Sequence, residues 1–140
     1  MASYAAGAFS TELQAAEISN DDGVVLLVEA GGTVAGYASL IQESTPPEVP
    51  VEAAIEIQRF YVGHEYHGAG VAQLLMDAAL AAAHERGASA VWLAVWESNP
   101  RAIAFYRKCG FSDVGSKVFS LGTDLQSDRI MWRPVNCLSR

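Results

Sequence analysis

The chain has 140 residues, 51% of them hydrophobic, which suits a single folded domain and argues against intrinsic disorder. Its formal charge is −7, from 9 Lys and Arg against 16 Asp and Glu, so nucleic acid and anionic membrane are poor partners. The two cysteines, Cys109 and Cys137, make neither a disulfide framework nor a zinc cluster, and we read no secretory signal at the N-terminus, so a cytoplasmic location is expected.

The first part of the chain predicts a short helix and then a hairpin. Residues 9–20 favour a helix, with Thr11 and Gln14 as a capping box. Two apolar strands follow over residues 24–30 and 33–41, and the two glycines between them predict a hairpin turn.

A loop is predicted over residues 42–51, because this segment contains three prolines. Glu43 and Glu48 could line the mouth of a cation site. A solvated loop is the simpler interpretation of the same two residues.

The stretch from residue 56 to residue 73 is a strand that turns through glycines into an amphipathic helix. Gly68 and Gly70 lie in the turn. The apolar residues of the helix are spaced for one face, and they are Val71, Leu74, Leu75, Ala78 and Ala82. A strand, a glycine turn and a helix start present free backbone N–H groups to an anion. A plain strand-to-helix connection uses glycines in the same way, so this stretch alone leaves both interpretations open.

The second half predicts a βαβ unit followed by a capped helix and two strands. Residues 90–95 are apolar on both faces, which is typical of a buried parallel strand. Asn99 caps the next helix, which has a proline at its first position and ends at Gly110. Strands over residues 111–121 and 127–135 close a mixed sheet.

Two stretches together resemble the motifs of the GCN5-related N-acetyltransferase (GNAT) family. Residues 61–75 resemble its acetyl-CoA-binding motif, Arg/Gln-x-x-Gly-x-Gly/Ala, which here begins at His67. Residues 99–111 carry the second motif, Asn-x-x-Ala-x-x-Phe-Tyr-x-Lys-x-Gly-Phe, in full. Residues 56–62 and the closing strands look most like the branch that contains polyamine N-acetyltransferases.

The resemblance implies one α/β (α+β) domain over residues 1–140. Its sheet would be mixed and mostly antiparallel, with a parallel pair at the centre and flanking helices. The family normally places a strand and a helix ahead of residues 9–20, and these are expected to be missing here. Their absence would leave an unpaired sheet edge and remove part of the acceptor wall.

The implied reaction is direct attack of a primary amine on acetyl-CoA, with a small amine or a polyamine favoured as acceptor. The alternatives are acetylation of a protein N-terminus or lysine, and a non-catalytic acyl-CoA-binding sensor. By resemblance, Tyr106 is the general acid to the CoA sulfur and Glu56 is the base. The alternative interpretations are that Tyr106 is an aromatic core residue and that Glu56 is a solvated strand residue. The backbone N–H near Val62 is the expected oxyanion donor, because in this family a bulge frees the strand backbone there.

The resemblance also places the cofactor. The residues expected to contact it are Phe60, Tyr61, Val62, His67, Gly68, Ala69, Gly70, Val71, Ala72, Asn99, Phe105, Tyr106 and Lys108. Asn99 would bond the pantetheine arm, and Lys108 would reach the adenosine phosphate. His67 stands where Arg or Gln is usual, which predicts weakened or pH-dependent cofactor binding.

No metal is expected. His64 and His67 have a His-x-x-His spacing, but no third ligand is near them in the sequence. Cys109 is predicted to be a buried thiol, because direct transfer needs no cysteine nucleophile. The expected partner is a small-molecule amine, with no nucleic acid or membrane, and a homodimer is a candidate assembly.

Overall fold

The computed structural model describes residues 13–19, 23–42, 46–51, 53–67, 70–121 and 124–135. The elements in chain order are β1 (Leu13–Ser19), β2 (Gly23–Ala30), β3 (Thr33–Ile41), β4 (Ala54–Val62), a 3-10 turn (His64–Tyr66), α1 (Val71–Glu85), β5 (Ala90–Trp96), α2 (Pro100–Lys108), β6 (Ser112–Leu121) and β7 (Asp124–Pro134). The seven strands form one sheet in the order β1-β2-β3-β4-β5-β7-β6. One pair, β4 beside β5, is parallel and lies near the centre, which confirms the predicted fold class.

The prediction of a helix over residues 9–20 is wrong for residues 13–19, which are the part of that segment that the structure describes. Residues 13–19 form strand β1, which pairs with β2 along its whole length and covers that edge of the sheet. A complete ladder of hydrogen bonds outweighs differences in helix propensity of roughly 0.5 kcal/mol per residue. Thr11, one half of the predicted capping box, lies outside the described residues.

The other predicted elements are confirmed, with one boundary corrected. β2 and β3 form the hairpin, and β4, α1 and β5 form the βαβ unit. Asn99 caps α2, since its Oδ1 accepts a hydrogen bond from the Ala102 N–H at 3.2 Å. The last strand begins at Asp124, ahead of the predicted residue 127, because its early residues pair with the end of β6.

The buried face of α1 differs from the predicted one. Leu74 and Ala78 are only partly buried. The fully buried side chains are Val71, Leu75, Met76, Ala79, Leu80, Ala82 and Ala83. Most residues of this helix are apolar, so the spacing alone is compatible with several buried faces. The position of the sheet determines which of these faces is buried.

Two apolar clusters lie on opposite faces of the sheet. The larger one packs α1 and α2 against residues such as Ile55, Leu93 and Met131, and we call this side the helix face. The smaller cluster on the opposite face includes Trp92 and Val49. Val49 belongs to the segment that follows β3, so this part of the predicted loop packs on the sheet. In the described part of the chain, no helix is long and apolar enough to cross a membrane.

A bulge in β4 changes which side chains reach the helix face. The pairing of β3 with β4 shifts register, and Gln58 is the extra residue. Phe60 and Val62 therefore pack on the helix face together with Ile57. A strand with regular alternation would turn both of them to the opposite face. The bulge expected near Val62 thus lies earlier in the strand, and its effect is to aim the end of β4 at α2.

Candidate active site

The sheet opens where β4 and β5 diverge. Their parallel pairing covers residues 54–56 and 90–92. Beyond that point β4 follows β3, and β5 follows β7. A cavity of about 500 Å³ lies on the helix face, against the diverging end of β4.

Four segments meet around this cavity: the end of β4, the 3-10 turn and its following residue, the start of α1, and α2. The lining residues are Phe60, Val62, Tyr66, His67, Gly70, Ala72, Gln73, Asn99, Arg101, Ala102, Phe105, Tyr106 and Lys108. Nine of these are residues that the resemblance assigns to the cofactor, so the fold brings two distant motifs to one cavity.

Sequence reasoning missed four lining residues. Arg101 and Ala102 lie inside the second motif, and Arg101 precedes the predicted Phe105 by one helical turn. Gln73 lies on the first turn of α1, close to the glycine turn. Helical spacing from the predicted residues could have found these three, whereas no sequence signal marks Tyr66.

Several predicted residues do not line the cavity. Tyr61 faces the other way, is 54% exposed and packs on Tyr37 with ring centroids 5.8 Å apart. The Val71 side chain is fully buried in the core, so only its backbone is available to a ligand. Gly68 and Ala69 lie outside the described residues.

The two predicted loop carboxylates are not part of this cavity as described. Glu43 lies outside the described residues. Glu48 is exposed, and its Cγ lies close to the backbone of Gly115 in β6. A solvated loop residue is the interpretation that fits Glu48.

Tyr106 is the buried member of the cavity wall. It is 9% exposed, and its ring packs edge-on against Phe60 with centroids 5.9 Å apart. Burial raises the pKa of Tyr106 to about 12, with a smaller contribution from the Cys109 thiol. The phenol therefore stays protonated at physiological pH and keeps an O–H that can donate a hydrogen bond.

The Cys109 thiol is buried beside this wall, as predicted. Burial raises the pKa of the Cys109 thiol, and the nearby Asp77 carboxylate adds to the effect. A thiol kept protonated is a poor nucleophile. Cys137 lies outside the described residues.

Burial of Tyr106 predicts a loss of stability at alkaline pH. Its folded pKa of about 12 is above the ordinary value near 10, so the stability that it contributes is complete below about pH 10. That contribution is lost as the pH rises from about 10 to about 12, because the unfolded chain releases the proton first. Between about pH 9 and about pH 11, the free energy of unfolding of the wild type should fall by about 1 kcal/mol more than that of Tyr106→Phe.

Urea unfolding of both proteins at each pH measures this difference. The other tyrosines and the lysines titrate in both proteins, so their effects cancel in the comparison. A difference between the two free energies that does not change with pH would contradict the buried state of Tyr106.

Asn99 can serve both roles that the sequence allows. Its Oδ1 accepts from the Ala102 N–H and caps α2. The amide nitrogen carries two further N–H donors, and Asn99 lines the cavity. Capping therefore leaves a donor for a ligand.

The backbone of Val62 faces away from β3. The Gly63 N–H donates to the Ala35 carbonyl on β3 at 2.8 Å, and successive N–H groups of a strand point to opposite sides. The Val62 N–H therefore points toward the opening of the sheet. His67 Nε2 lies 3.2 Å from the Val62 carbonyl oxygen, and its ring contacts His64 with centroids 5.4 Å apart. Within the described ranges, no three His, Cys, Asp or Glu side chains are grouped to hold a metal.

The cavity has positive charge. Arg101 and Lys108 line it and are exposed, and His67 adds an imidazole. Among the described residues that line it, there is no carboxylate. In a chain with a formal charge of −7, this local excess of cations indicates an anionic ligand.

Glu56 lies on the other side of the sheet from Tyr106. Ile55 and Ile57 both belong to the cluster on the helix face, so the side chain between them points to the opposite face. Glu56 pairs with Trp92, which is the last pair before the strands diverge. It therefore lies at the apex of the opening, half-buried, rather than in the cavity wall.

Comparison with known proteins shows the family of this chain. Residues 2–111 match the Acetyltransferase (GNAT) family. An uncharacterised N-acetyltransferase of Mycobacterium tuberculosis is 36% identical over 111 residues, which cover 79% of this chain and 67% of that protein. The chain thus spans about two thirds of the length of this relative.

Solved structures share the fold. Nourseothricin acetyltransferase has a TM-score of 0.68 at 27% identity, and the match covers 81% of this chain and 66% of that one. Spermidine/spermine N-acetyltransferase SpeG of Vibrio cholerae has a TM-score of 0.67 at 23% identity, covering 84% of this chain and 68% of that one. The resemblance read from the sequence is confirmed: this chain belongs to the GNAT family of acetyltransferases.

Proposed function

We propose that this chain transfers an acetyl group from acetyl-CoA to a primary amine by direct attack, with a small-molecule amine as acceptor. The observation that carries the proposal is the cavity between the glycine turn and α2. It combines cations, a helix start and a buried phenol, and the described residues place no carboxylate in its wall. These are the features that an anionic thioester cofactor requires.

The diphosphate of the cofactor binds at the start of α1. This helix has 15 residues, and Gly70 and Ala72 at its start line the cavity. The free N–H groups and the positive end of a helix dipole stabilise phosphate oxygens. Asn99 donates its amide N–H to the pantetheine arm, while His67 lines the cavity with its Nε2 on the Val62 carbonyl oxygen.

Tyr106 stabilises the leaving thiolate by donating a hydrogen bond. An ordinary thiol has a pKa near 8.5, so complete proton transfer from a phenol with a pKa of about 12 is strongly uphill. A hydrogen bond to the developing charge requires no such transfer and is stronger for a charged acceptor. The Val62 N–H binds the oxyanion of the tetrahedral intermediate, because it points into the opening.

The acceptor amine approaches from the opposite face of the sheet. Glu56 lies there, at the apex of the opening, and it accepts the amine proton directly or through water. Cofactor and acceptor then meet between β4 and β5 without competing for space. The base role of Glu56 remains a prediction, as do the cytoplasmic location and the homodimer.

The acceptor is a small molecule with at least one primary amine. One structural neighbour is named for nourseothricin, and another is named for spermidine and spermine. Two further candidates stay open: a protein N-terminus or lysine, and a sensor that binds acetyl-CoA without turnover.

A thiol-release assay combined with thermal unfolding tests the proposal. We expect acetyl-CoA to raise the Tm, and spermidine or nourseothricin to accelerate thiol release above the rate without amine. Acceleration by a lysine peptide alone would favour the protein acceptor instead. Reactions without protein serve as the control, because amines react slowly with thioesters unaided. A rise in Tm without thiol release from any amine would favour the sensor. No rise in Tm would contradict cofactor binding itself.

A further inference from the structure

We infer that Arg133 is a positioning residue for the proposed acetyl transfer, because it fixes the C-terminal turn of α2 on β7 and thereby holds the Tyr106 hydroxyl in the cavity wall. The inference rests on the proposed function, since the position of the hydroxyl matters only if a thiolate leaves. It assigns a role to a side chain that does not line the cavity and that lies outside both sequence motifs.

Helix α2 buries fewer side chains than α1. Of its nine residues, Tyr106 alone is buried, whereas α1 buries seven of fifteen. Three more residues of α2 are half-buried against the core, and they are Ala102, Ile103 and Phe105. Most of the stability of a helix in a protein comes from the packing of its apolar face. The position of α2, and with it that of the phenol, therefore depends more strongly on polar contacts at the ends of the helix.

The C-terminal turn of α2 is a Schellman motif that includes the backbone of Tyr106. The Phe111 N–H donates to the Tyr106 carbonyl oxygen at 3.0 Å, and the rings of these two residues pack with centroids 5.8 Å apart. The Gly110 N–H donates to the Arg107 carbonyl oxygen at 3.0 Å, and Gly110 has a left-handed φ of 96°, as this motif requires. A shift of this turn therefore moves Tyr106 directly.

Arg133 holds this turn from strand β7. Its Nη1 donates to the carbonyl oxygen of Cys109, the C-cap residue of α2, at 2.7 Å. Its Nε donates to the Pro134 carbonyl oxygen of its own strand at 3.0 Å, so one planar guanidinium joins the helix end to the sheet. A cation is favourable at the C-terminus of a helix, and a charge-assisted hydrogen bond is stronger than a neutral one.

The other polar contact at this helix end is weaker. Arg107 Nη2 lies 3.9 Å from Asp113 Oδ2, and the Arg107 side chain is 61% exposed. Exposed ion pairs contribute little to stability. Arg133 is half-buried, and its guanidinium lies against Gly110, where an added side chain would meet Nη1 at 3.3 Å. The position of the turn therefore depends mainly on Arg133.

A double-mutant cycle in the turnover number tests the inference. We expect Arg133→Ala to lower kcat about five- to ten-fold with acetyl-CoA affinity within about two-fold of the wild type, because the hydroxyl is displaced from the leaving sulfur. In the Tyr106→Phe background, the same substitution should change kcat less than about two-fold, since no hydroxyl remains to be positioned. Arg133→Lys keeps the charge and a donor, so its kcat should lie between those of the wild type and Arg133→Ala. If Arg133→Ala does not fold, the cycle is run with Arg133→Lys, whose loss should also vanish in the Tyr106→Phe background.

Arg86→Ala is the matched control. Arg86 is also half-buried, and its Nη2 joins the end of α1 to the Gly23 carbonyl oxygen of β2 at 3.0 Å. The substitution removes the same kind of bond away from the cavity, so kcat should stay within about two-fold of the wild type.

Amide hydrogen exchange tests the position of the turn without turnover. In Arg133→Ala, the Phe111 N–H should exchange about ten-fold faster relative to the β5 amides, because the turn that protects it is no longer held on β7. In Arg86→Ala, this ratio should equal that of the wild type.

Each of four results overturns the inference. An equal loss of kcat in both backgrounds, or a loss in Arg133→Ala larger than that of Tyr106→Phe, makes the effect independent of the hydroxyl. The same loss in Arg86→Ala assigns the effect to general stability, and unchanged exchange at Phe111 shows that Arg133 does not fix the turn. In contrast, a chain that acetylates no amine, but in which Phe111 exchanges faster only in Arg133→Ala, supports the positioning and contradicts the proposed reaction.

Discussion

Tyr106→Phe is expected to lower the turnover number about 10- to 100-fold while acetyl-CoA affinity stays within about two-fold of the wild type. The hydroxyl makes its contribution only when charge develops on the leaving sulfur, because the neutral thioester is a weak acceptor. Phe keeps the aromatic contacts of this position, including the edge-on contact with Phe60. Steady-state thiol release gives kcat, and titration with acetyl-CoA gives the affinity.

Tyr37→Phe is the matched control for this prediction. Tyr37 loses the same hydroxyl, but it lies on the opposite face and packs on Tyr61. Its turnover should stay within about two-fold of the wild type. An unchanged kcat in Tyr106→Phe would remove this residue from the mechanism. A lower affinity with unchanged kcat would make it a binding residue, as part of the cavity wall.

Gly70→Ala is expected to weaken acetyl-CoA binding about ten-fold or more, and Gly87→Ala is expected to leave it unchanged. Both glycines flank α1, with left-handed φ values of 85° and 81°. A side chain added at either position meets no atom within 4 Å. Each alanine therefore costs about 1 to 2 kcal/mol of backbone strain without a clash.

The two variants differ in where that strain acts. Gly70 precedes the first turn of α1 and lines the cavity, so relaxation of its backbone turns the N–H groups away from the phosphates. Gly87 follows the other end of the helix. Chemical unfolding should show similar losses of stability, and titration should separate the affinities. Equal affinity of both variants would place the diphosphate elsewhere.

The sequence was sufficient to predict the family and most of the secondary-structure elements. The cap at Asn99 and the second motif depend on residues that are close in the sequence. They can therefore be recognised without knowledge of the tertiary structure. The same is true of the hairpin and of the βαβ unit around α1. The alternation of the β4 side chains between the two faces of the sheet could be predicted only in part. The extra residue at Gln58 is visible only in the pairing of β4 with β3.

Long-range contacts determined the structural features that could not be predicted from the sequence. Residues 13–19 became a strand because the edge of β2 offered a partner, which no local preference records. The buried face of α1 was chosen by the sheet beneath it. The resemblance implied Tyr106 as general acid and Glu56 as base, and only the packed sheet shows that they lie on opposite faces.

The sequence by itself determined which residues bear the proposed chemistry: a glycine turn, a phenol in a helical motif and an acidic strand residue. The tertiary structure decided how these are arranged. It places Arg101 and Lys108 at the mouth of the cavity and Tyr106 deeper, and it turns Tyr61 away from the helix face. The physical reason is that motifs depend on neighbours along the chain, whereas cavities and faces depend on the register between strands.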